Sequence, residues 1–115
     1  MTIDFLYSPD CPHHEEAFQA LLRVLKRNGW AAGIHRIVIK DTTQAERAHF
    51  LGSPTIRVNG HDLEEGADAR KETHMGCREY TIDGKKTAIL TEDFIEQALR
   101  RIVAETEPSG AAERA

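Results

Sequence analysis

The 115-residue chain has a net charge of −4, 40% hydrophobic residues and 30% charged residues, a composition typical of one globular domain. The negative charge disfavours nucleic acid as a partner, and no apolar run is long enough to span a bilayer, so no membrane partner is expected. The first segment, MTIDFLY, carries Asp4 and no basic flank, so it is not typical of a secretory signal. We therefore expect a cytoplasmic protein.

The first half of the chain predicts strands and helices in alternation. Side chains alternate along TIDFLY with the period of a strand, and SPD follows as a turn signal. Apolar residues then recur at helical spacing up to about Asn28, where Gly29 is a plausible stop. The segment AGIHRIVIK is β-branched and predicts a second strand, and DTTQAERAHF opens with capping residues and predicts a short second helix.

The second half begins with the clearest hairpin in the chain. In SPTIRVNGHDLE, residues 55–58 form one arm, Asn59-Gly60 the tight turn and residues 61–64 the return arm. Residues 65–76 are polar and contain glycine, which predicts a loop. The next segment, CREYTIDGKKTAIL, predicts a second small hairpin that turns at Asp83-Gly84.

A final helix begins at Thr91 and has acidic residues in its first turn. The chain from residue 105 onward has almost no large apolar residue, so we predict a domain over 1–104 and a flexible tail over 105–115. The element order is β-α-β-α-β-β-α with an insertion before the last helix. This order predicts an α/β fold in which a mixed sheet carries helices on both faces.

Two motifs resemble those of the thioredoxin-like superfamily. CPHH resembles the Cys-Pro-His-Cys motif of bacterial disulfide oxidoreductases, with His14 in place of the last cysteine. GSPTIRVNG resembles the Val-Pro-Thr segment of thioredoxins and glutaredoxins, in which the proline is cis and lies against the active-site cysteine. The resemblance covers residues 2–64 and 91–104. It implies a thioredoxin-like fold, with Cys11 as the nucleophile and Pro54 as the cis-proline.

The resemblance also implies a function. A glutaredoxin-like thiol oxidoreductase would use Cys11 to form a mixed disulfide with glutathione or a protein substrate, and would need no resident cofactor. The backbone beside the cis-proline would pair with the substrate like an added strand. The residues expected to bind substrate are Pro12, Ser53, Pro54 and Thr55.

The position of Cys11 bears on its reactivity, because only the thiolate is nucleophilic. A predicted helix start at Pro12 would stabilise that thiolate, and His14 on the same face would stabilise it further or move a proton. Acidic neighbours act against a lowered thiol pKa, namely Asp10, Glu15 and Glu16. The alternatives are a buried, unreactive Cys11 and a surface His14.

If HDLEE is the return arm of the hairpin, Cys77 would lie in or just after a loop near the end of the molecule that carries Cys11, whereas as the first residue of a strand paired with residues 54–58 it would lie far from Cys11. A Cys11–Cys77 pair that resolves the mixed disulfide requires Cα atoms within about 7 Å, and the alternative is a packed structural cysteine. A second hypothesis is a protein that binds a soft metal ion or an organomercurial compound, with Cys11, His14, His74 and Cys77 as ligands. A third is a non-enzymatic binding module with a thioredoxin-like fold.

Overall fold

A computed structural model describes residues 1–107, so residues 108–115 of the predicted tail lie outside the described residues. The strands are β1 (Thr2–Tyr7), β2 (Gly33–Val38), β3 (Thr55–Val58), β4 (His61–Asp62), β5 (Tyr80–Ile82) and β6 (Lys85–Thr87). The helices are α1 (His14–Asn28), α2 (Thr42–Ala48) and α3 (Glu92–Thr106), with a short 3₁₀ turn at Ala67–Ala69. Helix α3 extends two residues beyond the predicted domain end at residue 104.

The main sheet has the strand order β2-β1-β3-β4. Strands β1 and β2 are parallel, whereas β3 is antiparallel to both β1 and β4, so the sheet is mixed as predicted. Strands β5 and β6 form a separate antiparallel hairpin within the insertion before α3. The predicted mixed α/β fold is confirmed, and it is compatible with a thioredoxin-like fold.

The side chains of β1 divide the core into two layers. Ile3 and Phe5 are fully buried in the larger cluster, together with residues of α1 and α3. Leu6 belongs to a second cluster that contains Ala45 of α2 and Phe50. Because neighbouring side chains of a strand point to opposite faces, α2 lies on one face of the sheet and the other two helices lie on the opposite face.

The predicted capping residues define the helix ends. Asp41 accepts a hydrogen bond from the Gln44 backbone N–H at the start of α2, and Thr91 accepts one from the Phe94 backbone N–H at the start of α3. Gly29 ends α1 with φ +65°, in the left-handed region that glycine tolerates. Within residues 1–107, no helix has the combined length and apolar character needed to cross a bilayer.

A network of ion pairs joins α1 to α3. Arg27 contacts Glu92 at 2.8 Å and Glu96 at 2.7 Å, and the Asn28 amide donates to Glu96 at 3.0 Å. Hydrogen bonds from Asn28 and Arg27 lower the pKa of Glu96 to about 2. The Glu96 carboxylate is therefore stabilised by the folded state.

We expect Glu96→Gln to reduce stability only where the native carboxylate is ionised. Because folding depresses the pKa of Glu96, its contribution is fully present above the unfolded pKa and is lost as the pH falls through about 2. The difference in urea midpoint between wild type and variant should be largest above about pH 4.5, should shrink as the pH falls toward about 2 and should vanish only below that value. A difference that stays constant over this range would contradict the assignment.

Candidate redox site

Cys11 lies in a turn between β1 and α1. Its backbone N–H donates to the Ser8 carbonyl at 3.1 Å, which closes a turn with Pro9 in its second position. Helix α1 begins only at His14, so Pro12 is not the first helical residue as predicted, and it is exposed in the turn. Cys11 therefore lies three residues before the helix, where the helix dipole stabilises a thiolate less than the sequence analysis assumed.

Cys11 and Cys77 form a disulfide. Their Cα atoms are 5.4 Å apart although 66 positions separate them in the chain, so of the two alternatives that the sequence left open the structure has the cysteines paired. Cys11 is only 3% exposed, whereas Cys77 is half-buried. An approaching thiol therefore has easier access to Cys77 than to Cys11.

Backbone pairing holds Cys77 in place. The Ser53 N–H donates to the Gly76 carbonyl and the Arg78 N–H donates to the Ser53 carbonyl, both at 2.9 Å, which makes a parallel bridge between Ser53 and Cys77. We call residues 76–80 the bridging segment. The sequence analysis left the backbone beside Pro54 free to pair with a substrate, but in this structure the bridging segment occupies that position.

Three of the four residues predicted to bind substrate, all except the exposed Pro12, instead contact the bridging segment. The Ser53–Pro54 peptide bond is cis, as the resemblance implied. The Pro54 carbonyl accepts a hydrogen bond from the Tyr80 hydroxyl at 2.6 Å, and the Thr55 hydroxyl accepts one from the Arg78 guanidinium at 3.3 Å. All three residues of Ser-Pro-Thr thus engage the chain itself.

The turn that carries Cys11 is also hydrogen-bonded to Ser53. The Ser53 hydroxyl accepts a hydrogen bond from the Ser8 backbone N–H at 2.9 Å, and the Cys11 Sγ lies 3.5 Å from the Ser53 carbonyl oxygen. Ser53 therefore orients both cysteines, one through its hydroxyl group and the other through its backbone.

Gly52 makes room for the bridging segment. A Cβ at this position would lie 2.8 Å from the Arg78 Cβ and 3.0 Å from the Arg78 Cα, closer than such atoms approach. The residue also has φ +111°, which an L-amino acid with a side chain rarely adopts. The close approach of the two chain segments requires glycine here.

Sequence analysis missed the buried arginine next to Cys77. Arg78 is 2% exposed, and its guanidinium donates to both carboxylate oxygens of Asp62 at 2.8 Å. It also donates to Glu64 at 3.3 Å and lies over the Tyr80 ring, 4.0 Å from its centroid. Because arginine is almost never fully buried, CREY in the sequence gave no reason to expect this.

The charges of this cluster are set by its surroundings. Burial lowers the pKa of Arg78, but the hydrogen bond with Asp62 and the nearby negative charges outweigh that effect, so the pKa is raised overall. Burial raises the pKa of the Tyr80 hydroxyl. Arg78 is therefore held as a cation and Tyr80 as a neutral hydrogen-bond donor.

A family model described as a domain of unknown function (DUF2703) matches residues 12–99. The chain belongs to the DUF2703 family. None of the curated proteins matches it. The matched range includes Cys77, the bridging segment and Asp62, and it begins directly after Cys11. In this DUF2703 protein, the insertion that the thioredoxin-like resemblance did not cover is thus part of the family domain.

The two histidines of the predicted site make contacts of different kinds. The His14 ring stacks on Tyr7 with centroids 4.6 Å apart, and its buried Nδ1 has no hydrogen-bond partner. No hydrogen bond joins His14 to Cys11 in the described part of the chain, so no contact supports the predicted catalytic role of His14. The His74 ring lies against Gly52 and Gly76.

The predicted metal ligands are not assembled in this DUF2703 structure. Across residues 1–107, no group of three or more His, Cys, Asp or Glu side chains is arranged to hold a metal ion. In the disulfide, the sulfurs of Cys11 and Cys77 are bonded to each other rather than present as the thiolates that a soft metal ion requires. The chemistry that the arrangement supports directly is reversible thiol–disulfide exchange.

Proposed function

We propose that this DUF2703 protein is a small thiol oxidoreductase that cycles between the Cys11–Cys77 disulfide and the corresponding dithiol. The observation that carries the proposal is the disulfide itself. The only two cysteines of the chain are 66 positions apart, yet backbone pairing at Ser53 brings their Cα atoms within 5.4 Å. If the protein is cytoplasmic, as the sequence analysis expects, such a disulfide is a transient state of a reaction rather than a permanent bridge.

The proposed reaction has two exchange steps. One cysteine thiolate attacks a substrate disulfide, so a mixed disulfide forms and the first substrate thiolate leaves. The second cysteine thiolate then attacks the protein sulfur of the mixed disulfide, releases the second substrate thiolate and closes the Cys11–Cys77 bond. The dithiol loses two electrons and two protons, and the substrate disulfide gains them. Reduction by two external thiols reverses both steps.

Burial supports a division of labour between the two cysteines. Sequence analysis assigns the attack on substrate to Cys11, but Cys11 is 3% exposed and Cys77 is half-buried. Access to the sulfur controls which one exchanges with an external partner. In the proposed cycle Cys77 forms the mixed disulfide, and Cys11 is the internal nucleophile that resolves it.

The occupied backbone of Ser53 favours low-molecular-weight thiols and disulfides as reactants. An extended polypeptide substrate would need the Ser53 N–H and C=O groups, both of which already pair with the bridging segment. A small reactant such as glutathione needs only access to a sulfur atom. Glutathione is accordingly the proposed co-substrate.

The proposal is tested with the full chain in buffers of defined glutathione to glutathione disulfide ratio. After acid quenching and alkylation, mass spectrometry should show that the oxidised form, two hydrogens lighter than the dithiol, follows that ratio in both directions. The wild type should also accelerate the reduction of bis(2-hydroxyethyl) disulfide by glutathione, whereas the Cys11→Ser/Cys77→Ser double variant should not. Equal rates for wild type and double variant would favour the binding module instead.

A further inference from the structure

We infer that Arg78 is the positioning residue of the redox couple: its buried ion pair with Asp62 anchors the bridging segment, so that Cys77 faces Cys11 even when the disulfide is open. This inference rests on the proposed function, because it concerns the same two cysteines. Arg78 contacts neither sulfur in the described structure and acts through the backbone of its neighbour.

The first argument is the position of Arg78 in the chain. Arg78 follows Cys77 directly, and its own N–H makes one of the two hydrogen bonds that pair the bridging segment with Ser53. The guanidinium of the same residue is held by Asp62 in β4. The peptide unit next to Cys77 is therefore fixed at both its backbone and its side chain.

The second argument is that the anchor is rigid and inaccessible to water. The side chains of Arg78 and Asp62 are 1% and 2% exposed, and two parallel hydrogen bonds of 2.8 Å join them. A bidentate contact of this kind fixes orientation as well as distance. Moving the bridging segment away from Ser53 would separate the pair and leave the Asp62 carboxylate buried without its cation, which is strongly unfavourable.

The third argument is that contacts of Tyr80 and Glu64 hold this part of the chain in the same position. Tyr80, which packs under the guanidinium, donates to the Pro54 carbonyl at 2.6 Å. Glu64 accepts from Arg78 at 3.3 Å and from the Thr81 backbone N–H at 2.7 Å. These contacts connect the bridging segment and the adjoining Thr81 to Pro54, which precedes β3, and to Glu64, which follows β4, independently of the disulfide.

The test compares Arg78→Lys with wild type in the equilibrium between the Cys11–Cys77 disulfide and dithiothreitol. Lysine keeps the positive charge but loses the bidentate geometry, so we expect the equilibrium constant for disulfide formation to fall about tenfold, because the open form no longer presents Cys77 to Cys11. The matched control is Arg101→Lys. Arg101 donates to the Leu63 carbonyl at 2.9 Å. The equilibrium constant for disulfide formation in Arg101→Lys should stay within about twofold of the wild-type value.

Denaturant unfolding of the oxidised and reduced forms separates positioning from general stabilisation. A residue that only stabilises the fold lowers both free energies of unfolding equally and leaves the equilibrium constant unchanged. The positioning role predicts a larger loss in the oxidised form, because the reduced form can release the bridging segment. If Arg78→Lys fails to fold, Glu64→Gln supplies the same comparison, with an expected decrease of about two- to threefold.

An equilibrium constant that stays at the wild-type value in Arg78→Lys, or in Glu64→Gln if that variant replaces it, would overturn the inference. Dithiothreitol opens the disulfide whether or not the protein reacts with glutathione. A protein that shows the expected decrease but no glutathione-dependent turnover would refute the proposed function and keep the positioning role. Failure of the positioning role and failure of the proposed function therefore give different results.

Discussion

Replacement of Cys77 by serine is expected to abolish turnover through the Cys11–Cys77 disulfide and to lower the free energy of unfolding by about 4 kcal/mol relative to the oxidised wild type. Turnover is lost because the remaining Cys11 is buried and has no second thiol to resolve a mixed disulfide. Stability is lost because the disulfide closes a loop between positions 66 residues apart, which restricts the unfolded chain.

The loss of stability expected for Cys77→Ser is measured by urea unfolding with and without reductant. Reductant should lower the midpoint of the wild type to near that of Cys77→Ser, and it should leave the midpoint of Cys77→Ser itself unchanged. The reduced wild type is a matched comparison, since it keeps every side chain and loses only the cross-link. Equal stability of the oxidised and reduced wild type would show that the disulfide does not stabilise the fold.

The reactivity of each cysteine is measured by comparing the two single variants, Cys11→Ser and Cys77→Ser. With glutathione disulfide, Cys11→Ser should accumulate a stable mixed disulfide at the half-buried Cys77, whereas Cys77→Ser should react about tenfold more slowly at the buried Cys11. Peptide mass spectrometry identifies the modified residue. Faster modification of Cys11 would reverse the assignment and restore the substrate-facing role that the sequence analysis gave it.

Local signals in the sequence were sufficient for the elements that form the fold. Asp41 and Thr91 cap helices as their residue types predict, and Asn59-Gly60 and Asp83-Gly84 turn the two hairpins. These predictions succeed because each depends on neighbours within a few positions. The start of α1 was placed too early because the turn at Pro9 continues through Cys11 before the helix begins.

The candidate site was only partly predictable, because its decisive contacts join distant segments. The return arm of the hairpin made a Cys11–Cys77 pair possible, but the sequence did not show the distance between the two cysteines. The pairing of Ser53 with the bridging segment was not predicted, since no local pattern identifies which strand end a loop will contact. The burial of Arg78 was hidden for a related reason: its partner Asp62 lies 16 positions away, and an Arg-Asp pair in a polar sequence usually indicates a solvated surface.

The second large effect is the loss of stability expected when Arg78, the cation of the buried ion pair with Asp62, is replaced. Arg78→Met is expected to destabilise the protein by about 3–5 kcal/mol, because it leaves the Asp62 carboxylate buried without its cation. The double variant Arg78→Met/Asp62→Leu should recover part of this loss, since replacing both charges removes the unpaired Asp62 carboxylate, although the Glu64 backbone N–H then loses its acceptor and the Glu64 carboxylate loses the Arg78 donor. Urea unfolding under reducing conditions measures the free energies of this double-mutant cycle without the contribution of the disulfide. The control is Arg27→Met, which removes two exposed ion pairs between α1 and α3 and should destabilise the protein far less than Arg78→Met does. A cost for Arg78→Met no larger than that of Arg27→Met would mean that the ion pair does not hold the bridging segment, and the position of Cys77 would then depend on the backbone pairing at Ser53 and on the hydrogen bond from Tyr80 to Pro54.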